Sequence, residues 1–294
     1  MLAITLPARA QDEVPFITTP DRVTVAMLEL AAVTQRDHVI DLGSGDGRIV
    51  ITAARRFGAS GLGVEIVPEL VQRSRDNARA AGVAGRTEFR EQDLFATDLA
   101  RATVVTMYLL PEVNLQLRPR LLALAAGTRI VSHDWDMGDW QPDREMTLEV
   151  PDKAIGREKK SRVMLWVVPA QVQGTWCSAG MGGEHGRREN LRLEMTQRFQ
   201  RFSATLQRER DTGAAGAAGG AGAAGAAGGS APAPVVVFDG RIEGLALRTE
   251  SAATAPPAHL RAAPDGATLQ LVQLAGAGAA HAGRVFRRAG AGGC

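Results

Sequence analysis

The chain has little of what would fix its class at a glance. It holds two cysteines in 294 residues, Cys177 and Cys294, far apart and one of them the last residue. Neither a disulfide framework nor a metal cluster can be argued from such a pair, and both read as incidental. No apolar run approaches the roughly 18 to 20 residues that a helix needs to span a bilayer, so no transmembrane segment is expected. An excess of one charge is missing as well. Thirty-four Lys+Arg stand against 32 Asp+Glu, a formal net charge of +2. That balance gives no broad basic field to hold a polyanion, and no nucleic-acid partner is expected. The N-terminus lacks the basic segment of an export signal. Residues 1–12 nevertheless contain a short apolar stretch ending in the small-x-small triplet Ala8-Arg9-Ala10, and read either as the tail of a signal peptide or as a plain leader. What remains is a 45% hydrophobic chain of a length suited to one large domain or two ordinary ones.

From residue 19 to 170 helical and strand patterns alternate, the signature of a doubly wound, Rossmann-like α/β sheet that is mostly parallel. Thr19 is placed to cap a helix with Pro20 at its first position, and Val23, Ala26, Met27, Leu30 and Ala31 recur at helical spacing. Strands are expected at 38–42, 61–66, 87–91, 103–107 and 129–132, with helices at 49–57, 68–81 and 111–125 between them. Two more strands, near 146–150 and 162–168, would close a seven-stranded sheet as a hairpin. After Pro169 the alternation is lost. A Gly/Ala tract within 212–233 has no side chains with which to bury area against its ordering entropy, so it reads as a disordered insertion. Period-two segments at 191–195, 199–206, 235–238, 241–247, 269–274 and 283–286 make 171–294 a β-rich, antiparallel C-terminal module.

The residues with the most chemical content are Asp41-Leu42-Gly43-Ser44-Gly45-Asp46-Gly47-Arg48, between the first strand and a helix. The glycines let the backbone turn tightly beside a ligand, and the helix N-terminus behind them favours a carboxylate. A dinucleotide fingerprint would need glycine where the chain has Arg48, and Asp41 would repel a pyrophosphate. The same acid suits the ammonium and sulfonium of S-adenosylmethionine (SAM). Glu65 ends the second strand, where an acid takes ribose hydroxyls; this supports an adenosine ligand without choosing between cofactors. Asp93, ending the third strand just before Leu94, can accept from an adenine amino group. Three acids on successive strand ends make SAM the expected cofactor.

With these residues in place the chain resembles a seven-stranded class I SAM-dependent methyltransferase. DLGSGDGRIV, the preceding Val14-Pro15-Phe16-Ile17-Thr18-Thr19-Pro20 and the later Tyr108-Leu109-Leu110-Pro111 are similar to a group of bacterial proteins. They also resemble the mitochondrial protein-lysine methyltransferases that act on the ATP-synthase c subunit and the adenine nucleotide translocase. The likeness covers about Val14 to Ala170, setting a methyltransferase domain at 13–170. It implies that Asp41, Gly43 and Gly45, with Ser44 and Gly47 in the same loop, hold the methionine end of SAM. It assigns the ribose to Glu65 and the adenine to Asp93 and Leu94, and folds Phe16, Thr18 and Thr19 over the cofactor. A SAM-using enzyme favours the cytoplasm, while a cleaved leader would make it periplasmic.

For the acceptor, the fourth strand ends in Tyr108-Leu109-Leu110-Pro111 where nucleobase aminomethyltransferases carry an Asp/Asn-Pro-Pro-aromatic motif. Tyr108 either orients an amine or is a packed strand-end aromatic. After the fifth strand comes Ser132-His133-Asp134-Trp135-Asp136-Met137-Gly138-Asp139-Trp140. Here His133 is a proton-transfer candidate and Trp135 a cation–π wall, unless the segment is a polar loop whose tryptophans pack under the hairpin. One histidine among aspartates lacks a zinc constellation, and no metal is expected. Catalytic candidates are thus Tyr108, His133 and Trp135, acting on a protein lysine or a small amine. The alternatives are a small-molecule methyltransferase, a SAM-binding protein without catalysis, and, third, an NAD-dependent oxidoreductase.

Overall fold

The computed structural model describes residues 17–154, 158–181, 188–209, 234–250, 257–275, 281–290 and 294. Phe16, the leader at 1–12 and the Gly/Ala tract lie outside the described residues. The chain forms two compact units: Met1–Gln116 with Val131–Met137 and Arg144–Leu165, and Leu117–Ile130 with Gly138–Asp143 and Trp166–Cys294.

Seven strands, β1 (His38–Leu42), β2 (Ser60–Glu65), β3 (Thr87–Glu91), β4 (Val104–Met107), β5 (Arg129–His133), β6 (Arg144–Glu149) and β7 (Lys160–Val167), make one sheet in the order β3-β2-β1-β4-β5-β7-β6. β1 pairs in parallel with β2 and β4, β2 pairs in parallel with β3, and β6 and β7 are the antiparallel hairpin. Buried on both faces, β1 and β4 read as continuous apolar runs, and Val39, Leu42, Val104, Val105 and Met107 are fully enclosed. The helices α1 (Asp21–Leu30), α2 (Arg48–Phe57), α3 (Pro68–Ala80) and α4 (Pro111–Leu122) fall within a few residues of the expected ones. α2 buries Ile49, Val50, Ala53 and Ala54, and stops at Gly58, whose φ of 73° is the left-handed cap that glycine adopts without strain. The start of α1 differs from expectation. Pro20, not Thr19, is its N-cap, and no side chain caps it. The Thr19 hydroxyl is turned away, 3.4 Å from His133 Nδ1.

The second unit carries eight further strands: β8 (Gly174–Met181), β9 (Arg188–Arg198), β10 (Arg201–Glu209), β11 (Pro234–Glu243), β12 (Ala246–Thr249), β13 (Ala258–Ala262), β14 (Thr268–Leu274) and β15 (Val285–Arg288). Each pairs antiparallel with its chain neighbour and β15 returns to β8, so the expected β-rich module is a closed up-and-down barrel. Its interior is filled rather than hollow. Trp176, Leu193, Phe202, Phe238, Leu260, Leu271 and Phe286 are among the inward side chains, as the narrow bore of an eight-stranded barrel requires. Two expectations are corrected. The segment 241–247 is broken by a turn at Gly244 between β11 and β12, and Phe199 belongs to the β9–β10 turn rather than to a strand. β8 and β13 have no counterpart among the expected strands. The cysteines are not incidental either: Cys177 on β8 is disulfide-bonded to Cys294.

β10 and β11 pair from Arg201↔Arg241 to Gln207↔Pro234, so the two ends that flank residues 210–233 are already held side by side. Closing a shorter connection between paired strands costs little entropy, about 0.6 kcal/mol per doubling of loop length. Replacing residues 212–232 with a short Gly/Asn turn should leave the melting temperature within a few degrees, as read by differential scanning calorimetry. A large drop would mean that the tract buries surface.

Candidate active site

The site is assembled at the C-terminal ends of the strands. Asp41 and Thr106 are register partners on β1 and β4, and the Thr106 hydroxyl donates to Asp41 Oδ1 at 2.7 Å. The carboxyl is 2% exposed, and the described residues offer it no cation. Burial, reinforced by Glu65 and Asp46, pushes its pKa up to about 7 against the opposing pull of Thr106. An acid stranded in this way is costly unless something positive is set against it.

The loop that follows bends under sheet control. Gly43 and Ser44 both donate to the Val64 carbonyl, at 3.0 and 2.9 Å, and Gly47 closes a turn onto Ser44. Gly43 is exposed with a φ of 75°, and a Cβ there would lie 2.9 Å from the Leu109 side chain, so the open edge of the loop admits only glycine. Gly47 is buried at a φ of 80°, where a Cβ would strike the Phe89 ring at 2.8 Å. Ser44 points its hydroxyl into the sheet, against Gly63. Of the loop residues expected at the cofactor, Gly47 and the Ser44 side chain therefore serve packing, while Gly43 borders open space.

Glu65 takes the Gly45 N–H on one oxygen at 3.0 Å, and the Ile66 and Val67 N–H groups on the other at 2.8 and 3.1 Å. Asp93 spends one oxygen on the Phe95 N–H, capping the short 3-10 turn Leu94–Ala96. Ile66, 62% exposed, directly follows Glu65, and Phe95, 39% exposed, stands two residues after Asp93. Leu94 is half-buried beside them. Sequence reasoning passed over Ile66 and Phe95, although the signal was present: a large apolar residue after each strand-end acid. Two bare apolar faces beside two acceptors are what a flat, hydrogen-bonding base requires.

Arg48, used in the sequence only to exclude a dinucleotide site, has a structural task. Its guanidinium grips Asp46, with Nη2 2.7 Å from Oδ2, and donates from Nη1 to the Thr19 carbonyl at 2.8 Å. It thereby ties the Thr18-Thr19 segment to the glycine loop.

Tyr108 and His133, from β4 and β5, stack with ring centroids 4.0 Å apart. His133 is fully buried, with Nε2 2.9 Å from the Ser161 hydroxyl. Burial lowers its pKa to about 4, outweighing the upward pull of Asp134, so the ring is neutral at pH 7 and its 3.4 Å approach to Asp134 is no ion pair. Trp135 is 43% exposed, and its carbonyl accepts from Asn114 Nδ2 and the Ser132 hydroxyl. Trp140 is buried in the second unit, stacked on Phe199.

The residue the sequence did not single out is Asp134. It ends β5 in the left-handed conformation, at a φ of 62°. Its Oδ1 accepts the Arg162 N–H at 3.0 Å, and its charge acts on the Tyr108 hydroxyl. Burial and that charge raise the Tyr108 pKa above its ordinary value. Opposite Asp134 Oδ2, at 2.7 Å, is the ammonium of Lys153, whose side chain is 12% exposed.

A parallel sheet in the order 3-2-1-4-5-7-6 with an antiparallel seventh strand, a glycine loop after β1 and acids closing β1, β2 and β3 define a class I SAM-dependent methyltransferase. Likeness to known proteins narrows this. Residues 41–144 match the family described as ANTKMT methyltransferase domain. A protein of Saccharolobus islandicus named protein-lysine N-methyltransferase is 44% identical over 138 residues, 46% of this chain and 86% of that one. The mouse lysine N-methyltransferase named for the ATP synthase c subunit is 38% identical over 110 residues, 37% of this chain and 44% of that one. A solved structure of a Salinibacter ruber RNA methyltransferase with S-adenosyl-L-homocysteine is 52% identical, covers 53% of this chain and 96% of that one, and has a TM-score of 0.49. The chain belongs to the ANTKMT methyltransferase family.

Proposed function

We propose that this methyltransferase moves the methyl of SAM to the side-chain amine of lysine in a protein. The observation that carries the reading is the pairing at the end of β5, where the Asp134 carboxylate, whose charge also reaches the Tyr108 hydroxyl, faces an alkylammonium at 2.7 Å. A carboxylate that holds one lysine head in this way has the chemistry to receive another. The names of the Saccharolobus and mouse relatives support the same acceptor.

The residues present fit SAM. Asp41 is a buried anion in want of a cation, Gly43 leaves an open edge, and Ile66 and Phe95 flank Glu65 and Asp93. In our reading Asp41 meets the amino-acid end and the sulfonium, Glu65 the ribose, and Asp93 through its second oxygen the adenine. Thr18 and Thr19 cover the site, with Arg48 fastening them. When bound, SAM supplies an activated methyl, so the protein has to position a neutral amine rather than make a nucleophile. Neutralising a lysine at pH 7 costs about 4 to 5 kcal/mol in water. Tyr108 and Asp134 orient the amine and lead its proton out. His133, neutral and buried, holds the Tyr108 ring in place rather than exchanging protons itself. A methyltransferase domain at 13–170 with an appended barrel remains our division by function.

Purified protein incubated with methyl-labelled SAM should label lysines of cell-extract proteins, read by peptide mass spectrometry. Label found only in the RNA of the same extract would overturn the protein-lysine reading. Two variants separate cofactor from acceptor. Glu65→Ala loses a charge-assisted acceptor worth about 1.5 to 3 kcal/mol, and SAM affinity by calorimetry should fall roughly ten- to a hundredfold. Tyr108→Phe should lower kcat/KM about tenfold or more while leaving the SAM dissociation constant unchanged, because the hydroxyl acts on the acceptor alone. An unaltered rate for Tyr108→Phe would make Tyr108 a packing residue.

A further inference from the structure

The chain is short of lysine. Of its 34 Lys+Arg residues only three are lysine, Lys153, Lys159 and Lys160, and all belong to the connection and first residue of the β6–β7 hairpin. For an enzyme that methylates lysine, arginine elsewhere removes targets on its own surface. What is left lies beside the site, and the three are not equivalent. Lys160 is half exposed and pairs loosely with Glu149 at 3.4 Å. Lys159 reaches back to the Lys153 carbonyl at 2.5 Å. Lys153 alone is directed inward. Its Nζ is 2.7 Å from Asp134 Oδ2 and donates to the Lys160 carbonyl at 2.5 Å.

We infer that Lys153 is a methylation site of this protein, modified in cis by its own active site. The inference rests on the proposal that the acceptor is a lysine amine. Before transfer, the Lys153 ammonium gives a proton to solvent by way of the Asp134 carboxylate. The neutral Nζ then donates its lone pair to the methyl carbon; the N–C bond forms as the S–C bond breaks. The bonding pair returns to sulfur and leaves S-adenosylhomocysteine. The product is a methylated ammonium on Lys153 that keeps its positive charge, so the attraction to Asp134 survives while one N–H is lost with each methyl added. The competing account makes Lys153–Asp134 a plain ion pair that fastens the hairpin.

Two measurements on the full chain decide. Peptide mass spectrometry of the purified protein, before and after incubation with methyl-labelled SAM, should find methyl groups on Lys153 and not on Lys159 or Lys160, added at a rate independent of protein concentration. Lys153→Arg, which keeps a cation opposite Asp134, should abolish the label with the melting temperature retained. Lys153 unlabelled while lysines of other proteins are labelled would overturn this inference and leave the lysine reading standing. Label on no lysine of any protein would overturn both, and a rate that rises with concentration would overturn the claim of transfer in cis. The geometry has a test that needs no transfer. Without SAM, acetic anhydride should acylate Lys153 roughly tenfold more slowly than Lys160, since the reaction waits on local opening. Asp134→Asn should bring the two rates together, and equal rates in the unmodified protein would overturn the placement.

Discussion

Asp41→Asn should bind SAM about thirtyfold or more weakly and yet yield a more stable unliganded protein. The two effects have one cause. Asp41 is buried with a single neutral partner, and its pKa stands at about 7, far above the ordinary aspartate value of 3.8. A carboxyl whose folded pKa exceeds its unfolded value binds more protons when folded. Stability is therefore lost as pH rises from about 4 through about 7, and at pH 8 the ionised group costs the fold on the order of 4 kcal/mol. Asparagine has the same shape, can still accept from Thr106, and carries no charge to desolvate. A rise of roughly 10 °C in the melting temperature at pH 8 is expected, shrinking to nothing near pH 4. On our proposal that SAM brings the missing cation, affinity depends on the ionised form. In the unmodified protein the dissociation constant should increase as pH falls below 7, approaching tenfold per unit. The Asn variant should lose that dependence. His133 titrates near 4 and does not interfere in this window. Calorimetric titration at pH 6, 7 and 8 checks the result; equal affinity of the two proteins at pH 8 would remove Asp41 from the cofactor site.

The contrast between the two halves of the chain shows which physical signals a sequence carries on its face. Strands β1 and β4 are enclosed on both faces, so they announce themselves as apolar runs, and a parallel sheet places a loop after each where special residues stand out. Asp41, Glu65 and Asp93 stood out as acids at the ends of expected strands, Asp41 within the buried β1 and Asp93 just past the mostly exposed β3. Ile66 and Phe95 carried a signal that could have been read, a large, partly exposed apolar residue within two positions of a strand-end acid. Asp134 was hidden among similar neighbours, because its role comes from a left-handed backbone at position 134 and from Lys153, nineteen residues on, folded back by the hairpin. Neither is visible in local pattern. The barrel was harder still. Period-two alternation revealed β9 and β14, but Gly174–Met181 is built largely of small and polar residues, with Trp176 a large buried anchor. Alternation tells which face a residue takes and not which strand it meets, so closure of β15 onto β8 had no local signature. Nor did a bond between cysteines 117 positions apart.

That bond supports the last expectation, which is that Cys177→Ser will destabilise the barrel by about 3 to 5 kcal/mol. Among the described residues, the seam where the barrel closes has the fewest register pairs. β15 meets β8 in two register pairs, Arg287↔Cys177 and Arg288↔Trp176, whereas β9 and β10 share nine. Around the seam Arg288 is recruited as reinforcement, its guanidinium 4.4 Å from the Trp176 ring centroid and donating to the carbonyls of Gln173 and Gln171. Two strands joined so briefly part easily, and parting turns a closed barrel into an open sheet with two unprotected edges. The disulfide acts on the same seam from the other side of the equilibrium. By closing a loop of about 118 residues it removes conformational entropy from the unfolded chain, an effect of about 5 kcal/mol in the chain-entropy account. The variant should melt roughly 10 °C or more below the unmodified protein. Dithiothreitol should lower the melting temperature of the unmodified protein by a similar amount and leave Cys177→Ser unmoved. A reduced protein that melts at the oxidised temperature would mean that the two-pair ladder and Arg288 hold the seam without help.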